Sequence, residues 1–200
     1  MEKGVIMPRT FLLRFCAALC LLVWVPFLQA AGLEIGQRAP DFKLQGLLSD
    51  SVYDTRNLYR QNELTVLIFW TTNCPDCSKA LKSCRDLASR TDSLGVKVVG
   101  INFDTESLAS ARSLIRGEKI DFVNLSDFQG AVATMFQAES YDFSSFIVDR
   151  KGTLRHVGYD HPPDVDKVLL RKVREILGID TDDRSKDKPR DGKGDKDRKI

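Results

Sequence analysis

The segment Leu64-Thr65-Val66-Leu67-Ile68-Phe69-Trp70, together with the cysteine pair just after it, constrains this chain more than any other feature. An unbroken apolar and β-branched run of this length suits a strand buried on both faces, and such a strand needs a sheet with helices on each side. Cys74-Pro75-Asp76-Cys77 comes next, and Cys77, Leu81, Cys84 and Ala88 then recur at the spacing of one helix face. Gly95 ends that helix, and Val96 to Phe103 is expected to be a second buried strand.

The alternation continues. Ser107 to Arg116 is a helical segment closed by Gly117. Ile120 to Leu125 is short and fits an edge strand or an extended segment, and Ala131 to Ala138 has helical character. Phe146-Ile147-Val148 and Leu154 to Val157 flank Asp149-Arg150-Lys151-Gly152, a strand–turn–strand signal. Val165 to Leu177 is a closing helix, preceded by Pro162-Pro163 and followed by Gly178. Upstream, Asp41 to Tyr53 fits a hairpin around Ser49-Asp50. The expected order is ββ-βα-βα-(β)α-ββα, an α/β fold with helices on both faces of a mixed sheet.

The two ends differ from this body. Lys3, Arg9 and Arg14 precede an uncharged run from Phe15 to Leu28, with Ala30 and Ala31 after it. A basic start, a short apolar stretch and a small-residue exit mark residues 1–30 as a secretory signal, with an uncleaved N-terminal anchor as the alternative. Spanning a bilayer takes about 20 residues, more than this run supplies. Either reading places the rest outside the cytoplasm, periplasmic or extracytoplasmic, where disulfides persist. From Asp180 to Ile200 acids and bases alternate with no apolar residue before Ile200, so this tail is expected to be disordered. The folded domain is then 32–179. The net charge of +2 comes from residues 1–30 and the remainder is neutral, which argues against nucleic acid as a partner.

The chemistry lies at Cys74 and Cys77. Cys74 is expected at or near the helix N-cap, where unpaired N–H groups and the helix dipole favour a thiolate. Cys77, one turn inward, is expected to face the core. An exposed thiolate that attacks a substrate disulfide and a buried partner that resolves the mixed disulfide is the division of labour this implies. Pro75 suits a first helical turn. A zinc site would need a second ligand pair, and Cys84, His156 and His161 do not supply one at a suitable spacing. A purely structural disulfide would close too small a loop to stabilise much. No metal or cofactor is expected. Cys84 is expected to be a small buried residue, too far along the helix to bridge Cys77. His156 is expected to be half-exposed near a strand and His161 to lie in a loop.

These residues carry a family resemblance. Ile35-Gly36-Gln37-Arg38-Ala39-Pro40-Asp41-Phe42 resembles the entry segment of secreted thioredoxin-like proteins. VLIFWTTNCPDCSK (66–79), VVGINFD (98–104) and FIVDRKG (146–152) resemble their strands and active-site turn. From Ile35 to Leu177 the chain is similar to the TlpA/ResA branch of thiol–disulfide oxidoreductases, within the wider AhpC/TSA-redoxin group. The resemblance implies a thioredoxin-like three-layer α/β/α fold with a mixed central sheet and an extra N-terminal hairpin. It implies dithiol chemistry at Cys74 and Cys77, with Trp70, Asn73, Pro75 and Asp76 as neighbours. Its partners would be protein disulfides, including those of cytochrome or cofactor maturation, with a membrane tether through the N-terminal segment as an option.

Three departures bear on the chemistry. Asn73 stands where the family carries Trp. Ile68 and Ala80 occupy positions where relatives carry an acid that assists the buried cysteine, leaving water or Asp76 for that role. Counting back from Phe146-Ile147-Val148-Asp149, Phe143 falls at the family's cis-proline position, and no proline occurs between Pro75 and Pro162 to take its place. A non-proline cis bond costs about 3 kcal/mol, so Asp142-Phe143 is expected to be trans. Phe143 and Ser144 are candidates for the substrate groove; a plain core role for Phe143 is the alternative. Asp76 opposes a thiolate at Cys74, which favours a reductant or isomerase over a disulfide donor. Two other readings stay open: a thioredoxin-fold binding module with little turnover, and a copper-binding chaperone.

Overall fold

The computed structural model describes residues 32–159 and 164–179; the readings for residues 1–30 and 180–200, and His161, lie outside them. Among the described residues the strands are β1 (Lys43–Gly46), β2 (Val52–Asp54), β3 (Leu64–Trp70), β4 (Val96–Asn102), β5 (Val123–Ser126), β6 (Phe143–Asp149) and β7 (Leu154–Gly158). The helices are α1 (Thr55–Gln61), α2 (Cys77–Thr91), α3 (Leu108–Gly117), α4 (Ala131–Met135) and α5 (Val165–Leu177). The strands form one mixed sheet in the order β2-β1-β5-β4-β3-β6-β7. β3, β4 and β5 run parallel, and β6 returns antiparallel beside β3.

Period-two alternation splits the core in two. Leu64, Val66, Ile68 and Trp70 of β3 face one cluster, which takes in Cys77, Leu81 and Cys84 of α2, Ala111 and Ile115 of α3, and Val165, Leu169 and Val173 of α5. Leu67 and Phe69 face the other, with Tyr59 of α1, Val132 and Ala133 of α4, and Ala39 and Phe42 of the entry segment. Phe69, Phe136 and Phe146 form its aromatic centre, with ring centroids 5.0–5.5 Å apart. The three layers and the N-terminal hairpin therefore match the expected α/β architecture.

Four details differ. α1 was not expected: Asp54 caps it by accepting the Arg56 N–H, but its sequence is mostly polar and buries only Thr55 and Tyr59. β5 is not an edge strand, because β1 pairs with it and moves the edge to β2. β6 begins at Phe143 rather than Phe146, the two serines masking a seven-residue buried strand. α4 stops at Met135, short of Ala138, where Gln137 adopts φ 55°.

Candidate active site

The polar chain ends at β3 and β4 hold the site together. Trp70 is buried at the end of β3, and its indole N–H donates to Asn124 Oδ1 at 3.1 Å across β4. Gly100 of β4 lies under that bond, and a Cβ there would collide with the Asn124 side chain. Beyond Trp70 the loop is fixed by Asp104, whose carboxylate accepts the Thr72 N–H at 2.9 Å and the Asn102 amide N–H at 2.9 Å. Asp104 is 7% exposed. The pairing gives the loop before the cysteines a defined anchor.

Cys74 and Cys77 are joined in a disulfide, with Cα atoms 5.3 Å apart. They are not equivalent: Cys74 is half-buried and Cys77 is 0% exposed within the core cluster. The Cys77 N–H donates to the Cys74 carbonyl at 3.3 Å, closing a turn over Pro75 and Asp76, both exposed. Here the geometry corrects the sequence expectation. α2 begins at Cys77, with Asp76 as its N-cap and no side-chain cap bond, so Cys74 and Pro75 precede the helix. A residue before proline is disfavoured in the α region, which holds Cys74 out of the helix.

Cys77 Sγ lies 3.4 Å from the Asp142 carbonyl oxygen, which is placed to accept the thiol hydrogen once the disulfide is reduced. No cis peptide bond occurs among the described residues, so Asp142-Phe143 is trans. Phe143 is 2% exposed, pairs with Trp70 across β3 and β6, and belongs to the same cluster as Cys77. Ser144 is not brought to the cysteines. Alternation turns it to the other face of the sheet with Phe146, where its hydroxyl is buried without a hydrogen-bond partner among the described residues. Ile68 and Ala80 are both buried in the Cys77 cluster and leave its surroundings apolar on those two sides.

Cys84 is fully buried in α2, and burial, with the Asp166 charge second, pushes its thiol well above the ordinary range. An unexposed thiol of that kind is a poor nucleophile. His156 lies on β7 with Nε2 3.4 Å from Ser145 Oγ. Among the described residues no three His, Cys, Asp or Glu side chains converge as a metal-binding group. Ser78 and Lys82 of α2 both reach Glu118, at 2.7 Å each, and tie the helix to the end of α3. Sequence reasoning missed Asp104, Asn102 and Asn124. The available signal was a polar pair, Asn102 and Asp104, following the apolar run Val98 to Ile101.

A cleft of about 440 Å³ opens beside Asn73, over the carboxyl ends of β3 and β4. Its lining includes Asp104, Glu106 and Glu139 and no lysine or arginine.

The thioredoxin-like protein YneN of Bacillus subtilis (strain 168) is 29% identical over 132 residues, covering 64% of this chain and 74% of that protein. Among solved structures, a putative thiol:disulfide interchange protein DsbE from Chlorobium tepidum aligns with a TM-score of 0.66 and 22% identity. It covers 74% of this chain and 100% of its own. Peroxidoxin BcpB from Mycobacterium tuberculosis aligns with a TM-score of 0.62 and 22% identity over 72% of this chain and 98% of its own. At such identities these structures speak to the fold, which is thioredoxin-like. Residues 35–157, from the entry segment through β7, match the model of the AhpC/TSA family, and the chain belongs to that family.

Proposed function

We propose that this protein is an extracytoplasmic thiol–disulfide oxidoreductase that reduces protein disulfides through Cys74 and Cys77. The observation that carries the reading is the asymmetry of the pair: one cysteine half-buried, the other sealed in the core with its sulfur beside a backbone carbonyl. In the reduced protein the Cys74 thiolate attacks one sulfur of a substrate disulfide. A Cys74–substrate mixed disulfide forms, and the leaving substrate sulfur takes up a proton. Cys77 then gives up its proton and attacks Cys74 Sγ. The Cys74–Cys77 disulfide forms and the second substrate thiol leaves, so two electrons pass from the protein to the substrate. An external dithiol donor must return the pair to its reduced form.

The start of the helix supports the reducing direction. Cys74 stands outside α2, and the N-cap residue between the cysteines, Asp76, carries a negative charge. Both features leave a Cys74 thiolate with less support than one held inside a helix N-terminus, so the reduced state is less favoured and gives up electrons more readily. The extracytoplasmic location rests on the basic and apolar residues Lys3 to Leu28.

Phe143 supports a second reading. A bulky core residue in the Cys77 cluster, where relatives carry a proline, fits a binding module with little turnover. Insulin reduction separates the two. The full-length chain with dithiothreitol should precipitate insulin B chain well above background, and Cys74→Ser should return the rate to background. A wild-type rate at background, or a rate unchanged by Cys74→Ser, removes the enzyme reading.

A further inference from the structure

We propose that the cleft beside the disulfide is the docking site for a lysine- or arginine-bearing segment of the protein whose disulfide is exchanged at Cys74. This rests on the reading of Cys74 and Cys77 as an exchanging pair. The cleft is walled by residues 71–73 after β3, 103–107 after β4, 129–130 after β5 and Glu139 before β6, with Ser110 and Thr134 at its sides. Asn73, the residue before Cys74, is part of the wall, so an occupant lies one residue along the chain from the attacking cysteine. Open α/β sheets bind ligands at the carboxyl ends of their parallel strands, where loops from several strands meet. A volume of about 440 Å³ admits one or two side chains of an extended segment.

The sign of charge identifies the occupant. Every charged residue of the lining is acidic, and the rest is mostly hydroxyl and amide. Asp76 and Asp142, both exposed, flank the cysteines with the same sign. A recess lined by one sign of charge concentrates the field on a cation and repels anionic disulfides. Asp104 is already oriented by Thr72 and Asn102, so its carboxylate needs no rearrangement when the occupant arrives.

The test uses the full-length chain, reduced with dithiothreitol and freed of excess reductant. Three disulfides are offered: hydroxyethyl disulfide, and two peptides of the same length whose single disulfide is flanked by lysines or by glutamates. In each reaction two electrons pass to the probe, giving two probe thiols and the Cys74–Cys77 disulfide. With each peptide rate divided by the hydroxyethyl disulfide rate of the same sample, the lysine peptide is expected to react about tenfold faster than the glutamate peptide at low salt. The ratio is expected to fall towards one in about 0.5 M salt, and in Glu106→Gln/Glu139→Gln. Equal peptide rates, a faster glutamate peptide, or a lysine preference that survives the double substitution overturns the proposal. Normal reduction of hydroxyethyl disulfide without a lysine preference removes the cleft proposal alone. No reduction of hydroxyethyl disulfide removes the exchange reading and the cleft proposal with it.

Discussion

At each end of the β3–β6 pair an aspartate accepts at least one backbone N–H from a loop, and the two loops have different surroundings. At the Leu64 end, Asp149 Oδ1 accepts from Lys151 and Thr153, both at 2.9 Å, and Oδ2 binds Arg155. Arg150 pairs with Glu63 at 2.6 Å, and Gly152 at φ 82° closes the turn into β7. At the Trp70 end, Asp104 anchors Thr72 in the same manner, but the loop borders an open cleft and carries the disulfide. Buried oxygens without a hydrogen-bond partner among the described residues lie at both ends: Thr71 Oγ1, Asn102 Oδ1 and Ser144 Oγ here, Thr65 Oγ1 and the Tyr59 hydroxyl at the other. The first end is tied by ion pairs and borders only a small recess of about 110 Å³. The second is anchored by Asp104, borders the larger cleft of about 440 Å³ and carries the disulfide.

The comparison breaks first at the sulfurs. Cys74→Ser should abolish insulin reduction while the melting temperature of the reduced protein moves little, because the half-buried residue sits only at the edge of the core cluster and serine is nearly isosteric; a large loss of stability would make the open end structural too. Midway along the sheet, Phe146→Ala should cost about 3–5 kcal/mol in a denaturant titration by emptying the space shared with Phe69 and Phe136, and should weaken both ends alike.

The two aspartates sharpen the contrast. Asp149→Ala should cost about 1–2 kcal/mol and leave the insulin rate unchanged. Asp104→Ala should cost a similar amount and also slow insulin reduction several-fold, through a loosened Thr72 loop, when both variants are assayed where they are fully folded. The smallest effect is in pH. Burial raises the Asp149 carboxyl, but the Thr153 N–H, Arg155 and the Lys151 N–H outweigh it and hold it below the usual range. A carboxyl lowered by folding contributes stability above its unfolded pKa of about 4, and the contribution is lost as pH falls through the folded value. The gap between wild type and Asp149→Ala should therefore be full at neutral pH and narrow on acidification.

How much of this was legible depended on which link of the chain carried it. β3, α2 and the cysteine pair were readable because burial on both faces and helical spacing are written directly into 64–70 and 77–88. α1 was not, since TRNLYRQ owes its helix to the Asp54 cap and to tertiary packing of Tyr59 rather than to an apolar stripe. The internal position of β5 was hidden because its neighbour, β1, lies some eighty residues earlier in the sequence. The helix start slipped from Cys74 to Cys77 because Pro75 acts on the residue before it. The cleft had no signature in any one segment: it arises where loops from β3, β4 and β5 meet, and only the fold brings Asn73, Asp104 and Glu139 together.

Trapping tests the division of labour between the sulfurs most directly. Full-length Cys77→Ser and Cys74→Ser, each incubated with an oxidised protein substrate and quenched in acid, are searched for mixed disulfides by mass spectrometry. The account predicts adducts through Cys74 in Cys77→Ser and almost none through Cys77 in Cys74→Ser. Adducts in equal amounts on both variants, or on Cys77 alone, would contradict it.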